Sequence, residues 1–294
     1  MADRKRTVAD WEDLRIFLAL GRYGSLSATA RALGVNHATI ARRVHSLEAD
    51  LAEKLVERRP DGYVLTPAGE EVLSAASDME AAARTLGHMG SANTPRGLVR
   101  INAPPALAQG FLIERLAELP VRYPGLEIDI ATDVQAVSLE RHQADIAIRL
   151  SRPEDGDVIA KPLLAIGYGF YGTPQACRSV EDGAEPVFIG FSEANSHVPE
   201  ALWLARNFPR ARLVLRGMNQ LAQAVAAHSG AGIALLPHYI GRADTLLRPC
   251  EVGPNPPSRE AFLLTRRRDR MDPPVRVTVE YIVDAFAEAR ALLE

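Results

Sequence analysis

The stretch from Ser25 to Leu47 restricts the possible fold of this chain more than any other part of the sequence. Apolar residues recur at helical spacing on both sides of Gly34, so the stretch predicts two short helices separated by a turn. Asn36 follows this turn and is a good N-cap residue for the second helix. The apolar positions are Leu26, Ala30 and Leu33 in the first helix and Ile40, Val44 and Leu47 in the second.

The opposite face of the second helix is basic, since it carries His37, Thr39, Arg42 and Arg43 and meets no acidic residue before Glu48. A basic helix supported by a partner helix favours a helix-turn-helix, which places the start of its second helix in the DNA major groove. Any small helical domain with arginines on its solvated face is the alternative for these residues taken alone.

The composition is that of a soluble globular protein, with 294 residues, 47% hydrophobic and 24% charged, enough for two or three domains. The net charge of -3 argues against nucleic-acid binding only as an average over the whole chain. Locally the charge is positive, because every charged residue between Ser25 and Leu47 is an arginine. The chain starts without an apolar signal region and has no run long enough to cross a bilayer, so we expect a cytoplasmic protein.

Cys177 and Cys250 are the only two cysteines. They lie far apart in the sequence, without metal-ligand spacing, so we expect two structural thiols in a reducing compartment. The sequence predicts neither a metal site nor a cofactor.

The segments around the helix pair predict a winged arrangement. Residues 10–20 form a leading amphipathic helix, and LVERRPDGYVLT after the second helix is typical of a hairpin with its turn at Pro60-Asp61-Gly62. Arg58 and Arg59 sit at the tip of this wing, where they can reach phosphates or the minor groove. Exposed arginines without a DNA contact are the alternative.

Thr66 and Pro67 begin a further helix that we expect to reach about Gly87. Its apolar residues step by four and three, which is the pattern of a coiled-coil seam, and a dimerising linker helix would couple two DNA-binding units. An alanine-rich helix packed on its own chain is the alternative. The seam residues are Val72, Ala76, Met79, Ala83 and Leu86.

A hinge-like composition from Gly90 to Gly97 precedes alternating short strands and helices, which predict an α/β architecture with largely parallel sheets. The predicted chain is therefore an α/β multidomain protein. Its parts are a winged helix-turn-helix in residues 1–66, a linker helix in 67–90 and a two-lobed α/β domain in 91–294. Lobe I spans about 97–165 and 266–294, and lobe II about 166–265.

This order resembles the LysR-type transcriptional regulators over the full chain. The most specific match is DLRIFLALGRYGSLSATARALGVNHATIARRVHSLEADLAEKLVERR followed by LTPAG, although Asn36, His37 and Ala41 depart from the family's common pattern. The resemblance implies base contacts by His37, Ala38, Ala41 and Arg42. It implies phosphate contacts by Ser25, Arg31, Asn36, Thr39, Arg43, Arg58 and Arg59.

RYPGLEIDI, ADIAIRL and HSGAGIALLP resemble the family's effector-binding domain, which is itself similar to periplasmic solute-binding proteins. The resemblance implies a small-molecule effector between the lobes, and helix N-termini at such a cleft favour a carboxylate. Arg149 either lines this cleft or pairs with an acid such as Asp145, the interpretation we favour from sequence. The positions that the resemblance assigns to the effector are Asn102, Ala103, Thr132, Leu150, Ser151, Gly190 and Asn219.

The other motifs do not amount to an active site. The GxGxxG from Gly167 to Gly172 lies within a predicted strand instead of following one, and Ser229 beside His228 lacks a nucleophile-elbow context. We therefore predict a non-enzyme: an effector-controlled regulator that binds inverted-repeat DNA as a homodimer or homotetramer, with RNA polymerase as a further partner. The alternatives are a solute-binding protein or enzyme with an accessory N-terminal domain, and a structural DNA-binding protein.

Overall fold

The computed structural model of the chain describes residues 9–59, 62–87, 95–132, 144–153, 158–267 and 272–294. These residues form two compact units, divided near residue 94. No helix in the described ranges is long and apolar enough to span a membrane.

The first unit is helical with a two-stranded wing. Its helices are α1 (Trp11–Tyr23), α2 (Leu26–Leu33), α3 (His37–Leu51) and α4 (Pro67–Gly87), and its strands are β1 (Val56–Arg59) and β2 (Gly62–Leu65). Phe17, Ile40, Leu47 and Leu55 are fully buried at its centre, so the amphipathic faces of the helices close one core.

Local capping fixes the turn between α2 and α3 as the sequence predicts. Ser25 Oγ accepts the Ala28 N–H at the start of α2, and Asn36 Oδ1 accepts the Thr39 N–H at 2.7 Å at the start of α3. Gly34 ends α2 with φ +65°, a left-handed conformation that glycine adopts without steric cost.

The wing pairs β1 with β2 in antiparallel register, from Val56 opposite Leu65 to Arg59 opposite Gly62. Pro60 and Asp61 of the predicted turn lie outside the described residues. Thr66 Oγ1 then accepts the Gly69 N–H and caps α4, as the Thr-Pro pair predicts.

Helix α4 packs partly on its own unit, which corrects the predicted dimer seam. Leu73 and Ala76 are 2% and 1% exposed within the core of the first unit, and Val72 packs against the same core. Arg22 of α1 also forms an ion pair with Glu80 of α4. The first half of α4 therefore belongs to the first unit, because its heptad spacing coincides with an ordinary buried stripe.

The second unit contains two five-stranded sheets. Their strands are β3 (Gly97–Asn102), β4 (Leu126–Ala131), β5 (Ile146–Arg149), β6 (Val158–Ile166), β7 (Tyr168–Gly172), β8 (Val187–Phe191), β9 (Arg212–Gly217), β10 (Ile233–Pro237), β11 (Arg248–Cys250) and β12 (Arg259–Arg266). Lobe I has the order β4-β3-β5-β12-β6 and lobe II the order β11-β7-β10-β8-β9.

Both sheets are mixed, whereas the sequence predicts largely parallel ones. β3 is parallel to β4 and β5, but β12 returns antiparallel to β5 and β6. Since β12 belongs to the lobe I sheet from Arg259 onward, the predicted lobe boundary at residue 265 is wrong. Strand β7 is antiparallel to β10, and it contains most of the GxGxxG sequence, so that motif is a strand.

Helices flank both sheets. They are α5 (Pro105–Leu107), α6 (Ile113–Leu116), α7 (Glu118–Arg122), α8 (Pro174–Glu181), α9 (Pro199–Asn207), α10 (Gln220–His228), α11 (His238–Gly241), α12 (Pro273–Glu288) and α13 (Arg290–Leu293). A π-helical segment, Ala108–Leu112, joins α5 to α6. The sequence of Val137–Gln143 is typical of a helix, but this segment lies outside the described residues.

Cys177 and Cys250 form a disulfide, so the prediction of two separate thiols is wrong. The cysteines are 73 residues apart, but α8 and β11 both pack beside β7, which brings their Cα atoms to 5.3 Å. This separation lies within the range that a disulfide needs. The bond joins a helix and an edge strand inside lobe II, where both cysteines are buried.

Candidate functional site

The exposed face of α3 is the first candidate site. His37, Ala38, Ala41 and Arg42 are all exposed, and they occupy the N-terminal half of the helix. His45 is exposed one turn after Ala41, so it extends the same face. His45 is not among the predicted contacts, although its spacing of four from Ala41 and three from Arg42 places it on the same helix face.

The polar residues at the helix starts are structural caps as well as candidate phosphate ligands. Thr39 Oγ1 donates to Asn36 Oδ1 at 2.9 Å, and the same oxygen accepts the Thr39 backbone N–H. The Ser25 hydroxyl accepts the Ala28 N–H at 3.2 Å. These bonds hold both helix N-termini in place, and a helix N-terminus attracts phosphate through its backbone N–H groups.

Arg43 differs from the adjacent Arg42. Its Nη1 donates to Asp13 Oδ1 at 2.8 Å, and the Asp13 side chain is 3% exposed. This hydrogen bond raises the pKa of Arg43 above its ordinary value. The phosphate contact predicted for Arg43 therefore competes with a bond that holds α3 against α1.

The other three arginines for which a phosphate contact is predicted are all exposed: Arg31 on α2, and Arg58 and Arg59 on β1. Arg59 lies 4.0 Å from Glu57, with both side chains more than half exposed, so this pair is a weak restraint in water. Backbone pairing in the wing fixes the positions of Arg58 and Arg59 on β1, and their charged side chains remain accessible to DNA.

The predicted dimerisation residues divide between the core and the surface. Met79 is 49% exposed and Ala83 is exposed, whereas Ala76 and Val72 face their own unit. Ala75 and Ala82 are also exposed, so the accessible small and apolar surface includes Ala75, Met79, Ala82 and Ala83. The side chain of Leu86 lies outside the described part of the chain.

A cavity of about 300 Å³ lies between the two lobes of the second unit. Helices α9 and α10 both begin at its wall, which also includes the turn before α5 and the end of β5. Its lining residues are Pro104, Pro105, Ala106, Leu107, Arg149, Leu150, Ser151, Tyr168, Phe191, Asn195, His197, Val198, Pro199, Glu200, Met218, Asn219, Gln220, Tyr239 and Arg259.

Leu150, Ser151 and Asn219 are the predicted effector residues that line this cavity. Asn219 also caps α10 by accepting the Ala222 N–H at 3.0 Å. The lining set does not include Asn102, Ala103, Thr132 or Gly190, and Gly190 borders a separate cavity beside α9. Asn102 and Ala103 are 0% exposed, and the next two residues, Pro104 and Pro105, line the cavity instead.

Asn102 nevertheless has an unusual environment. Both polar atoms of its side chain are buried without a hydrogen-bond partner within the described structure. An unpaired buried amide is energetically costly, so this side chain destabilises the end of β3. Its backbone carbonyl accepts Arg149 Nη1 at 3.4 Å, which connects the strand end to the cavity wall.

Arg149 lies on the cavity wall. The interpretation favoured from the sequence was instead that Arg149 pairs with an acid such as Asp145. Its Nη1 donates to the Ile148 carbonyl at 2.8 Å, and burial lowers the pKa of its guanidinium. Asp145 has Arg266 as an ion-pair partner at 3.1 Å and also accepts the Arg100 N–H. A buried guanidinium beside a cavity is a favourable position for binding an anion.

Glu200 and Arg259 form a second polar group at the wall, which the sequence analysis missed. Arg259 Nη1 donates to Glu200 Oε1 at 2.9 Å, and Glu200 is 7% exposed. Burial, followed by the nearby charge of Glu200, raises the pKa of the Tyr168 hydroxyl. No local sequence signal identifies this pair, because Glu200 and Arg259 are 59 residues apart.

The described residues contain no group of three or more His, Cys, Asp and Glu side chains placed to hold a metal ion. His228 and His238 instead have partners in lobe II. His228 Nδ1 lies 2.8 Å from Asp244, and His238 Nδ1 lies 2.8 Å from the Tyr171 hydroxyl.

Comparison with known families gives two matches that together cover most of the chain. The family described as the bacterial regulatory helix-turn-helix protein, lysR family, matches residues 11–70. The LysR substrate binding domain matches residues 92–287. These matches coincide with the first unit and with the two-lobed unit that contains the cavity.

One full-length relative is the Mau operon transcriptional activator of Paracoccus denitrificans. It is 30% identical to this chain, and the alignment covers 96% of this chain and 98% of that protein.

Two solved structures share the fold. ArgP from Mycobacterium tuberculosis superposes with a TM-score of 0.67 at 19% identity, covering 94% of this chain and 96% of that one. A full-length OxyR variant from Pseudomonas aeruginosa gives a TM-score of 0.68 at 17% identity, covering 96% and 95%.

Proposed function

The chain belongs to the LysR family of transcriptional regulators, and from this premise we propose how it reads DNA and which chemical class of effector controls it. Members of this family bind DNA and small-molecule effectors, form oligomers and are not enzymes. The alternatives of a solute-binding protein, an enzyme or a purely structural DNA-binding protein therefore fall away.

For DNA, the proposed contacts to base edges come from the exposed face of α3. Arg42 and His37 specify the sequence, while Ala38 and Ala41 bring methyl groups to thymine. The proposed phosphate contacts come from Ser25, Arg31, Asn36, Thr39, Arg43, Arg58 and Arg59, as implied by the family resemblance. The target is an inverted repeat, because two such units in a dimer present α3 twice with twofold symmetry.

For assembly, the proposed dimer contact uses the exposed surface of α4 at Met79 and Ala83. The assembly is a homodimer or homotetramer, it acts in the cytoplasm where its DNA is found, and RNA polymerase is a further partner. Effector control requires that the effector bind one arrangement of the oligomer more tightly than the other.

The proposed effector is a carboxylate bound in the cavity between the lobes, and the position of Arg149 is the observation that carries this proposal. Its guanidinium is partly desolvated at the wall, and backbone carbonyls orient it. Two helices also begin at the cavity, and their N-terminal backbone N–H groups favour an anion. Leu150, Ser151 and Asn219 complete the polar and apolar wall around Arg149.

The test combines DNA selection with an effector screen. The full-length protein would be used to select its DNA from a random duplex library, and the recovered site would be footprinted with and without small carboxylates. We expect an inverted repeat and a footprint that changes with a carboxylate but not with the matching amide. A protein with no sequence preference would contradict the DNA contacts, and a response to the amide alone would contradict the effector class.

A further inference from the structure

We propose that a cavity within lobe II binds a zwitterionic α-amino acid with an apolar side chain. This second cavity has a volume of about 280 Å³ and lies between α9 and the strands β8 and β9. Phe191 borders both this cavity and the one between the lobes, but the other lining residues of the two cavities differ. The second cavity is therefore a further ligand site, which is independent of the proposed carboxylate effector.

The second cavity has one charged side chain of each sign among its described lining residues, Glu193 and Arg216. Glu193 lies in the short turn after β8, and Arg216 lies near the end of β9. Both side chains are exposed, and within the described part of the chain neither of them forms a hydrogen bond or an ion pair, with each other or with a third residue. The carboxylate can therefore accept from a ligand ammonium group, and the guanidinium can donate to a ligand carboxylate.

The strand pairing directs Arg216 to the cavity side of the sheet. Phe188 pairs with Leu213 and Gly190 pairs with Arg216, and a register shift between these pairs places one extra residue in β9. Because of this extra residue, Leu213 and Arg216 project from the same face although they are three positions apart. A Cβ atom at Gly190 would lie 3.2 Å from Leu213 Cδ2, so the glycine keeps this end of β8 open beside the arginine.

The wall behind the two charges is apolar. Helix α9 contributes Ala201, Leu204 and Ala205, which lie on one helix face because their spacing is three and four. Phe208 follows the helix and lines the cavity too, with its ring centroid 4.9 Å from that of Phe188. Leu204 is 6% exposed, whereas both charged side chains are exposed. A ligand can therefore bury a hydrocarbon side chain against this wall and keep its charged groups near water.

The pair of opposite charges favours a zwitterion over a ligand with one charge. A simple carboxylate would bind Arg216 but would also meet the negative charge of Glu193, and a simple amine would meet the opposite conflict. An α-amino acid carries its ammonium and carboxylate groups on one carbon atom, so it can satisfy both side chains at once. Electrostatic complementarity of this kind gives specificity by penalising the wrong ligand as well as by stabilising the right one.

The experiment measures binding to the full-length protein by calorimetry at neutral pH. The probes are L-leucine and L-phenylalanine, with leucinamide and glycine as comparisons. Leucinamide keeps the ammonium group and the side chain but lacks the carboxylate, and glycine keeps both charges but lacks the side chain. We expect at least one of the two apolar amino acids to bind, and leucinamide and glycine to bind about tenfold more weakly than that amino acid.

Substitutions at the two charged side chains then locate the site. Arg216→Gln and Glu193→Gln should each weaken amino-acid binding about tenfold, and Arg216→Gln should also remove most of the advantage of leucine over leucinamide. Both side chains are exposed and without partners in the described structure, so neither substitution should disturb folding. Arg212→Gln and Glu185→Gln are the matched controls, because both residues are exposed in lobe II but lie outside the lining of the second cavity.

The site is supported if the affinity falls in both cavity variants and stays at the wild-type value in both controls. An unchanged affinity in either cavity variant, or an equal loss in the controls, overturns it. Failure of both apolar amino acids to bind the wild-type protein at millimolar concentration overturns it as well. None of these results bears on the carboxylate effector, because Glu193 and Arg216 are not among the lining residues of the cavity between the lobes.

Discussion

Asp13 and Arg43 connect α1 to α3 through a 2.8 Å ion pair whose carboxylate is almost fully buried. The next residue back, Arg42, points its exposed side chain away from the core on the same helix. The two adjacent arginines therefore differ in their surroundings: Arg43 holds α3 against α1, and Arg42 is exposed to solvent, as its proposed base contact requires. Their alanine variants should separate these tasks.

Arg42→Ala should lower the affinity for the selected DNA site by about 1 to 3 kcal/mol, because a bidentate arginine contact to a guanine edge contributes that much discrimination. Its thermal unfolding should match the wild type. Arg43→Ala should instead lower the unfolding midpoint of the first unit, since Asp13 would lose its partner in a buried position. Fluorescence anisotropy and calorimetry measure the two effects, and unchanged DNA affinity in Arg42→Ala would contradict its base contact.

Arg58→Ala tests the wing. Loss of one phosphate contact should weaken binding to specific and scrambled duplexes alike, and should reduce the slope of log K against log salt by about one. Arg15→Ala is a suitable control, because Arg15 is an exposed arginine paired with Glu12 within α1. A salt dependence identical to the wild type would exclude a phosphate contact by Arg58.

Glu48 gives a prediction about acid stability. Burial acts to raise its pKa, but hydrogen bonds from Lys54 and from the Leu55 and Val56 N–H groups outweigh burial and lower that pKa below 4.5. A lowered folded pKa means that the carboxylate contributes stability above pH 4.5 and that this contribution disappears as the pH falls through the folded value.

Glu48→Gln should therefore destabilise the first unit by about 1 kcal/mol at neutral pH, and by progressively less as the pH falls below 4.5. Urea unfolding in a Trp203→Phe background measures this, because Trp11 of α1 is then the only tryptophan. A difference between wild type and variant that is constant from pH 7 to pH 3 would show that the charge of Glu48 has no role.

Met79 tests the dimer surface on α4. Met79→Glu would place a charge on the exposed apolar surface and should shift the full-length protein toward monomer in sedimentation velocity, whereas Met79→Leu should leave the oligomer intact. Ala76→Glu should instead unfold the first unit, because Ala76 is 1% exposed in its core. An oligomer unaffected by Met79→Glu would place the interface elsewhere.

The structural elements that are set by neighbouring residues in the sequence were predictable, because the interactions that form them are local. The caps at Ser25 and Asn36, the glycine end of α2, the wing strands and the full length of α4 follow from spacing and capping alone. The strand assignment that excluded a dinucleotide loop at Gly167 to Gly172 also holds. In each case the interactions that decide the structure lie within a few residues.

Only the tertiary structure decided which of the residues with suitable chemistry lie next to one another. The seven-residue spacing of α4 cannot say whether Ala76 faces a partner or its own core, and the cysteine sequence positions cannot say that α8 and β11 both pack beside β7. The cavity shows the same limit, since Arg149, Glu200 and Arg259 come from three elements.

The sequence by itself therefore predicted a helix-turn-helix with Arg42 on a capped helix, followed by a two-lobed effector-binding domain. The fold decided that Arg43 holds that helix in place, that Asn102 is buried behind the cavity wall, and that Glu200 meets Arg259 there. The physical reason is that helices and turns are fixed by short-range bonding, whereas the charges in a cavity are selected by contacts between residues distant in sequence.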